Sequence, residues 1–181
     1  MFKLNHAISP EDSFVVEKAV SYLIYNYNES GHNPKPVILH SLRIANILME
    51  MGYDKKIIIG AILHDIIEDT NVTPEKLKKD FGQEMLDLVT AESYDESIVD
   101  PIKQYIDMYK RVLAYGREAV VLKSVDIAVN SLYIYLVSDT DKRKQLVEKG
   151  TYFLNQTESF SEEPAWQLLK ARNLEEISKL S

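Results

Sequence analysis

The sequence has no cysteine and little glycine, and both shortages narrow the fold and the chemistry. Without cysteine among its 181 residues, the chain has no disulfide, no thiolate zinc site and no cysteine nucleophile. Six glycines are few for a β-rich fold of this size. Four of them follow helical patterns and are expected to end helices: Gly31, Gly52, Gly82 and Gly116.

The sequence also lacks long apolar runs and basic blocks. The longest apolar stretch, from Val120 to Val137, is interrupted by Lys123, Asp126 and Asn130, so we expect no membrane span and no membrane partner. The N-terminal residues lack the apolar core of a signal peptide, which predicts a soluble, cytoplasmic protein. A net charge of −7 without a basic block argues against nucleic-acid binding. A small anionic substrate stays open as a partner if local cations or a metal attract it.

What the chain has in quantity is hydrophobic sequence with helical periodicity. Hydrophobic residues make up 45% of the chain and charged residues 27%, which predicts a folded domain rather than disorder. We predict an all-α bundle, a single domain over residues 1–181 with core motifs in about 14–137 and a helical extension over 138–181. Predicted helices cover about 10–28, 36–51, 55–68, 74–81, 83–92, 101–114, 117–137, 140–154 and 164–180, with a rigid linker over 33–36 and a polar loop over 93–100.

The third predicted helix carries polar residues where its neighbours predict a buried core. Isoleucine, leucine and alanine cover nearly all of its circumference, which is typical of a buried helix. Its C-terminal half nevertheless holds four polar residues whose spacing places them on one side: His64, Asp65, Glu68 and Asp69. Burying unpaired carboxylates costs several kcal/mol each unless a metal or another cation compensates. The alternative is that these residues face solvent at a fraying helix end.

Two more helices repeat this anomaly. Lys123, Asp126 and Asn130 fall within the otherwise apolar long helix at positions i, i+3 and i+7, which aligns them on one face. His40 lies among valine, isoleucine and leucine residues of the second predicted helix. Each feature alone has an ordinary explanation, a solvated stripe or a core histidine. Together they supply a candidate set of two histidines and two aspartates: His40, His64, Asp65 and Asp126.

This candidate set has the chemistry of a metal site. Two imidazoles and two carboxylates suit one divalent ion such as Mn, Fe, Zn, Co or Mg rather than a thiophilic ion. Four protein ligands leave open positions on an octahedral ion, where a bound water can become hydroxide near neutral pH. Glu68 and Asp69 can then orient or deprotonate that water, while Lys123 and Arg43 can meet phosphate oxygens. The pattern predicts metal-assisted hydrolysis of an anionic ester.

The order of these residues resembles the H…HD…D ligand order of the HD superfamily of metal-dependent phosphohydrolases. The stretch from Ala61 to Thr70 resembles the A-x-L-H-D-x-x-E-D-T signature of RelA/SpoT-type guanosine polyphosphate hydrolase domains. The stretch from Leu122 to Asn130 resembles the same family's K-x-x-D-x-x-x-N motif. Shorter matches are Thr73 with Phe81-Gly82, and Leu88-Val89. The resemblance covers about residues 14–137.

The resemblance implies a helical HD fold and one divalent metal, foremost Mn²⁺, on His40, His64, Asp65 and Asp126. It assigns assistance of the nucleophilic water to Glu68 and Asp69, and substrate contacts to Lys123 and Asn130. The implied reaction is hydrolysis of a nucleotide or a related phosphate ester. The specific case within the family is the 3′-pyrophosphate of a guanosine polyphosphate such as ppGpp.

The sequence departs from the family pattern where the guanine would be recognised. An Arg-Lys pair, an aromatic residue, the arginine of an Asp-Arg pair, a histidine and a threonine are all replaced. The replacing residues are Gly31 and His32, Val37, Ile127, Val129 and Tyr133. We therefore expect the metal chemistry with an altered substrate shell, in which His32 and Tyr133 are candidate contacts and Tyr133 can stack on a base.

Two other functions stay open from the sequence. A non-catalytic nucleotide-binding or regulatory HD module would keep the same metal ligands, and a purely structural helical protein would carry the polar residues on a solvated face. The residues after 138 are typical of amphipathic helices that pack on the core or form a homodimer contact. Trp166 is a candidate anchor for that packing.

Overall fold

The computed structural model describes residues 8–33 and 35–180, and within these residues there is no β-strand, so the predicted all-α fold is confirmed. The linker predicted over 33–36 includes Pro34, which lies outside the described residues. The α-helices in chain order are α1 (Pro10–Ser30), α2 (Val37–Glu50), α3 (Lys55–Leu63), α4 (Ile66–Asp69), α5 (Pro74–Phe81), α6 (Gln83–Glu92), α7 (Pro101–Tyr115), α8 (Arg117–Asn130), α9 (Thr140–Gln156) and α10 (Pro164–Leu180). Short 3₁₀ helices cover Ser131–Leu136 and Glu158–Phe160.

Side-chain caps fix the start of five of these helices. Ser9 accepts a hydrogen bond from the Asp12 amide at 3.0 Å, with Pro10 in the first turn of α1. Asp54 accepts from the Ile57 amide at 3.2 Å and starts α3. Equivalent caps by Thr73, Asp100 and Asp139 start α5, α7 and α9. These helix starts follow from local sequence alone.

The centre of the bundle is formed by α3 and α8, which contact each other and both contact α2. Every residue from Ile57 to Leu63 is buried, as the apolar circumference of this helix predicts. Gly60 permits close packing, because a Cβ there would lie 2.6 Å from the Leu88 side chain. Helices α2 and α8, which carry His40 and Asp126, therefore pack against α3, which leads directly into His64 and Asp65.

The third predicted helix is interrupted, which corrects the prediction of one helix over 55–68. It ends at Leu63, passes through a turn at His64 and Asp65, and resumes as α4. His64 Nδ1 lies 2.8 Å from the Ala61 carbonyl oxygen, the acceptor that the Asp65 amide would use in a continuous helix. The imidazole thus takes over a backbone acceptor, and the turn directs both side chains into the interior.

The long predicted helix over 117–137 is also shorter than expected. It ends at Asn130, and the chain continues as the 3₁₀ helix Ser131–Leu136. Ser131 Oγ donates a hydrogen bond to the Ala128 carbonyl at 2.7 Å, which competes with the regular α-helical ladder. Tyr133 therefore lies on a tighter helix than the sequence predicted.

The C-terminal helices pack on the core, as one of the two sequence-based alternatives predicted. Helix α10 lies against α8, and Trp166 is only 5% exposed. The Trp166 indole donates to Thr157 Oγ1 at 3.0 Å, and the Ala165 amide donates to the Tyr53 hydroxyl at 3.3 Å. A homodimer stays a prediction. No helix within residues 8–33 and 35–180 combines the length and the apolar character needed to cross a membrane.

Candidate metal centre

The four predicted ligands meet where α2, the α3–α4 turn and α8 converge. One potential ligand atom from each of His40, His64 and Asp65 lies within 4.8 Å of the other two. Asp126 Oδ1 lies 3.0 Å from His40 Nε2 and 3.7 Å from His64 Nε2. Both histidines are completely or almost completely buried. The fold therefore brings together four side chains from distant parts of the chain.

The protonation of His64 fits a metal-binding role. A carbonyl oxygen can only accept, so Nδ1 must donate to Ala61, and the neutral imidazole then has its lone pair on Nε2. His64 Nε2 has no hydrogen-bond partner among the described residues, although it lies 3.1 Å from Asp65 Oδ2. Burial alone would lower the pKa of His64, yet the Asp65 and Asp126 carboxylates raise it to about 10, so a bound ion would replace the proton that Nε2 carries near neutral pH in the metal-free protein. The cluster attracts positive charge strongly, as a divalent ion requires.

His40 departs from the usual pattern of a ligating histidine. Its Nε2 faces Asp126, while its buried Nδ1 has no hydrogen-bond partner among the described residues. Ligating histidines usually donate their second ring nitrogen to an acceptor. The unpartnered nitrogen identifies His40 as the cluster member with the least outside support.

A chain of buried charges leads away from the cluster through α8. Lys123 Nζ lies 3.1 Å from Asp126 Oδ2 and 3.2 Å from Glu92 Oε2, and it is also 3.4 Å from the Glu92 carbonyl. Burial would raise the pKa of Asp126, but the Lys123 ammonium and the two imidazoles hold it well below its usual range. With three oxygens of two residues around its ammonium, Lys123 is positioned to hold Asp126 in place.

Glu92 at the end of this chain was missed by the sequence reasoning. The residue is 2% exposed and lies near the end of α6, where a polar loop was expected to begin. Glu92 lies seven residues after Met85 and four after Leu88, which places it on the same apolar face of the helix. This spacing could have indicated from the sequence that Glu92 is buried. Burial raises the pKa of Glu92 to about 7, and the Lys123 ammonium offsets only part of that effect.

Replacing Glu92 by glutamine is expected to stabilise the metal-free protein at pH 8 and to change little at pH 4. The folded-state pKa of about 7 lies above the ordinary 4.5, so ionising Glu92 costs stability as pH rises through this window. The shift corresponds to about 3 kcal/mol at most. Thermal unfolding in EDTA at several pH values measures it, with the exposed Glu17→Gln as the control. Equal stability of wild type and Glu92→Gln at pH 8 would contradict the buried-acid interpretation.

Lys35 is a second residue that the sequence reasoning did not single out. Its ammonium lies 2.7 Å from Asp65 Oδ2, and Asp65 together with Asp126 raises its pKa despite partial burial. The sequence placed Lys35 in a linker. The only signal of a further role was its position, five residues before His40 in an otherwise uncharged segment. The cluster thus has one lysine beside each aspartate: Lys35 at Asp65 and Lys123 at Asp126.

The acidic pair Glu68 and Asp69 lies beside the cluster. Glu68 accepts a hydrogen bond from the Tyr94 amide at 2.5 Å, and Asp69 Oδ1 accepts from Asn33 Nδ2 at 2.8 Å. Asp69 Oδ2 is buried without a hydrogen-bond partner among the described residues. Burial and the nearby Asp65 charge raise the pKa of both carboxyl groups. Raised values suit groups that take up a proton during a reaction.

The predicted substrate contacts divide into near and distant groups. Asn130 Nδ2 donates to Asp126 Oδ1 at 2.8 Å, and the Tyr133 ring centre lies 6.5 Å from that of His40. Arg43 lies further out and touches the Tyr133 hydroxyl at 3.4 Å. His32 is exposed beside the acidic pair, and its amide donates to the Asp69 carbonyl at 3.2 Å.

One cavity adjoins the cluster, and a second adjoins the acidic pair beside it. The first, of about 260 Å³, has Lys123, Asp126 and Asn130 at one end and a largely apolar interior that α9 and α10 help to close. The second, of about 370 Å³, is polar and is lined by His32, Asn33, Glu68, Asp69, Tyr94, Glu96 and Gln104. Tyr94 lines both, so the two cavities lie on either side of it.

Fold and cluster together define an all-helical protein with a buried His/Asp site. A family model described as HD domain matches residues 19–114, which is more than half of the chain. The chain belongs to the HD domain family. The predicted superfamily is therefore confirmed, and the His40, His64-Asp65 and Asp126 order is the part of the sequence that indicated it.

Individual relatives agree with this placement. The chain is 28% identical over 142 residues, 77% of its length, to a guanosine-3′,5′-bis(diphosphate) 3′-pyrophosphohydrolase of Aquifex aeolicus. It is 36% identical over 88 residues, 48% of its length, to a probable GTP pyrophosphokinase of Mycobacterium leprae. These matches span only 20% and 11% of the two relatives.

A solved structure shares the fold over nearly the whole chain. It is that of a metazoan ortholog of SpoT, described as hydrolysing ppGpp and acting in starvation responses. The TM-score is 0.73 at 16% identity, with 99% of this chain and 98% of that chain covered. The similarity extends over α9 and α10, beyond the stretch in which the sequence motifs lie.

Proposed function

We propose that this protein is a metal-dependent phosphohydrolase that acts on a nucleotide or a related phosphate ester, with a guanosine polyphosphate 3′-pyrophosphate as the first candidate. The observation that carries the proposal is the buried convergence of two histidines and two aspartates beside an acidic pair. Burying such a donor set away from solvent costs free energy, which metal binding offsets. A structural role would not require it.

The ligands in this proposal are His40, His64, Asp65 and Asp126, and the ion is divalent. Mn²⁺ is the first choice, and Fe, Zn, Co or Mg are compatible with nitrogen and oxygen donors. When bound, such an ion supplies a Lewis acid that polarises a phosphate oxygen and makes a water more acidic. The nitrogen lone pair of His64 is oriented for this role by the Ala61 carbonyl.

Glu68 and Asp69 act on the attacking water in this proposal. The partnerless Oδ2 of Asp69 can accept a proton, and the hydrogen bond from Asn33 to Oδ1 fixes the orientation of the carboxylate. Glu68 is held by the Tyr94 amide. Because the pKa of each group is raised, each binds a proton more readily than an exposed carboxylate does.

The apolar cavity next to Asp126 is suited to the nonpolar part of a substrate. Tyr109 and Tyr133 offer aromatic surface, and Lys149 and Arg172 add positive charge to the lining. At about 260 Å³ it accepts a nucleobase or a sugar more readily than a complete nucleotide polyphosphate. Asn130 lies between this cavity and the cluster, which supports its predicted substrate contact.

One relative is named as a pyrophosphohydrolase and another as a probable pyrophosphokinase, and the site favours hydrolysis. A metal set with an adjacent acidic pair activates water, which is the nucleophile of a hydrolase. The altered residues at Gly31, His32 and Val37 leave the identity of the base open.

A hydrolysis screen with added Mn²⁺ tests the proposal. Purified protein is assayed with guanosine polyphosphates, nucleoside triphosphates and 5′-monophosphates, and phosphate or pyrophosphate release is measured. We expect release from at least one member of this panel and none after EDTA treatment. A metal-loaded sample that hydrolyses none of them, yet is thermally stabilised by a nucleotide, would favour the non-catalytic module instead.

A further inference from the structure

The segment that precedes α2 is attached to the acidic side of the cluster at three points. The His32 amide donates to the Asp69 carbonyl, Asn33 Nδ2 donates to Asp69 Oδ1, and Lys35 Nζ contacts Asp65 Oδ2. Asn33 Oδ1 also accepts from the Lys35 amide at 3.0 Å, and Pro36 restricts the backbone of Lys35 directly before it. These contacts therefore fix the position of the Lys35 ammonium.

The oxygen that Lys35 contacts is the one that faces the candidate metal position. Asp65 Oδ2 lies 3.1 Å from His64 Nε2 and 2.7 Å from Lys35 Nζ. An ammonium and a divalent ion cannot use one carboxylate oxygen fully at the same time, because like charges repel at such distances. The Lys35 side chain is 30% exposed, so it has a path toward solvent when a second cation approaches.

We propose that Lys35 is a built-in counter-cation that competes with the metal for Asp65 and thereby weakens the affinity of the site. In this role Lys35 balances Asp65 in the metal-free protein and yields the oxygen when the ion binds. The inference rests on the proposed function, because it assumes that the His/Asp cluster binds a divalent ion.

The opposite role is also physically clear and gives the opposite result. If Lys35 instead oriented Asp65 as a hydrogen-bonding support for a ligand, its removal would weaken metal binding. If Lys35 competes, its removal strengthens metal binding. The sign of the change decides between the two.

The test is a titration of metal-free protein with Mn²⁺ alone, followed by calorimetry and by electron paramagnetic resonance, without substrate. Lys35→Met removes the charge at similar length, and Lys35→Gln keeps a hydrogen-bond donor without the charge. We expect both variants to bind Mn²⁺ roughly 10-fold more tightly than wild type, as loss of one nearby positive charge predicts. Lys35→Arg, which keeps the charge, is expected to stay near wild type.

Lys55→Met is the matched control. The Lys55 ammonium pairs with the Asp12 carboxylate at the surface, and Lys55→Met has the same net charge as Lys35→Met. Unchanged or weaker Mn²⁺ affinity in Lys35→Met and Lys35→Gln would overturn the proposal, and so would equal strengthening by Lys55→Met. The proposed function fails by a different result, namely no stoichiometric Mn²⁺ in wild type. Circular dichroism of the metal-free variants verifies that they fold.

Discussion

His64→Ala is expected to lose stoichiometric metal and to hydrolyse phosphate esters at least about 1,000-fold more slowly than wild type. The imidazole is completely buried, its Nδ1 is committed to Ala61, and its Nε2 lies among the other three candidate ligands. Removing it takes a neutral nitrogen donor out of the set and leaves two carboxylates and one imidazole. Metal content by mass spectrometry and steady-state rates with Mn²⁺ measure the effect.

The control for metal content is His32→Ala, which removes an exposed histidine outside the cluster. It should retain about one ion per chain. Metal content and hydrolysis at wild-type levels in His64→Ala would mean that the cluster is not the metal centre. The proposed ligand set would then be wrong.

Glu68→Gln and Asp69→Asn are expected to keep the metal and to lower kcat by roughly 100- to 10,000-fold, the usual contribution of a general base. Both amides are close in size to the carboxylates that they replace, but they accept no proton. In the wild type, the rate should fall as pH decreases through the raised pKa of these groups, at a higher pH than for an ordinary carboxylate.

An exposed carboxylate in the first turn of α5 provides the comparison, since Glu75→Gln removes the same charge away from the site. Its kcat and metal content should match wild type. If Glu68→Gln and Asp69→Asn both kept wild-type kcat, a proton-accepting role for the pair would have to be abandoned. A rise in KM at constant kcat would assign the pair to substrate binding instead.

The sequence predicted the helices and the candidate ligands for the same reason. A histidine or an aspartate in an apolar helix is conspicuous, and the period of the surrounding residues indicates which side it faces. His40, His64 and Asp126 were found in this way, and the helix starts followed from caps such as Asp54 and Thr73. Local sequence patterns were therefore sufficient to predict these three residues and the helix starts.

The sequence could not supply contacts between distant segments. The role of Lys35 depends on its contact with Asp65, thirty positions later. The role of Glu92 depends on its contact with Lys123, thirty-one positions later. The break at His64 was also hidden, because it arises when an imidazole takes a backbone carbonyl that helical propensity assigns to an amide. Tertiary hydrogen bonds decided each of these features.

The meeting of α2, the α3–α4 turn and α8 at one cluster has a mechanical consequence. An ion held there would connect three segments of the chain that are separated by a short and a long stretch, and so would hold them together in the folded state. Binding to the folded state alone adds stability in proportion to the logarithm of the free ion concentration. In a chain without cysteine, the proposed catalytic ion would therefore also act as the cross-link of the core, and depletion of the ion would loosen the fold as well as stop the reaction.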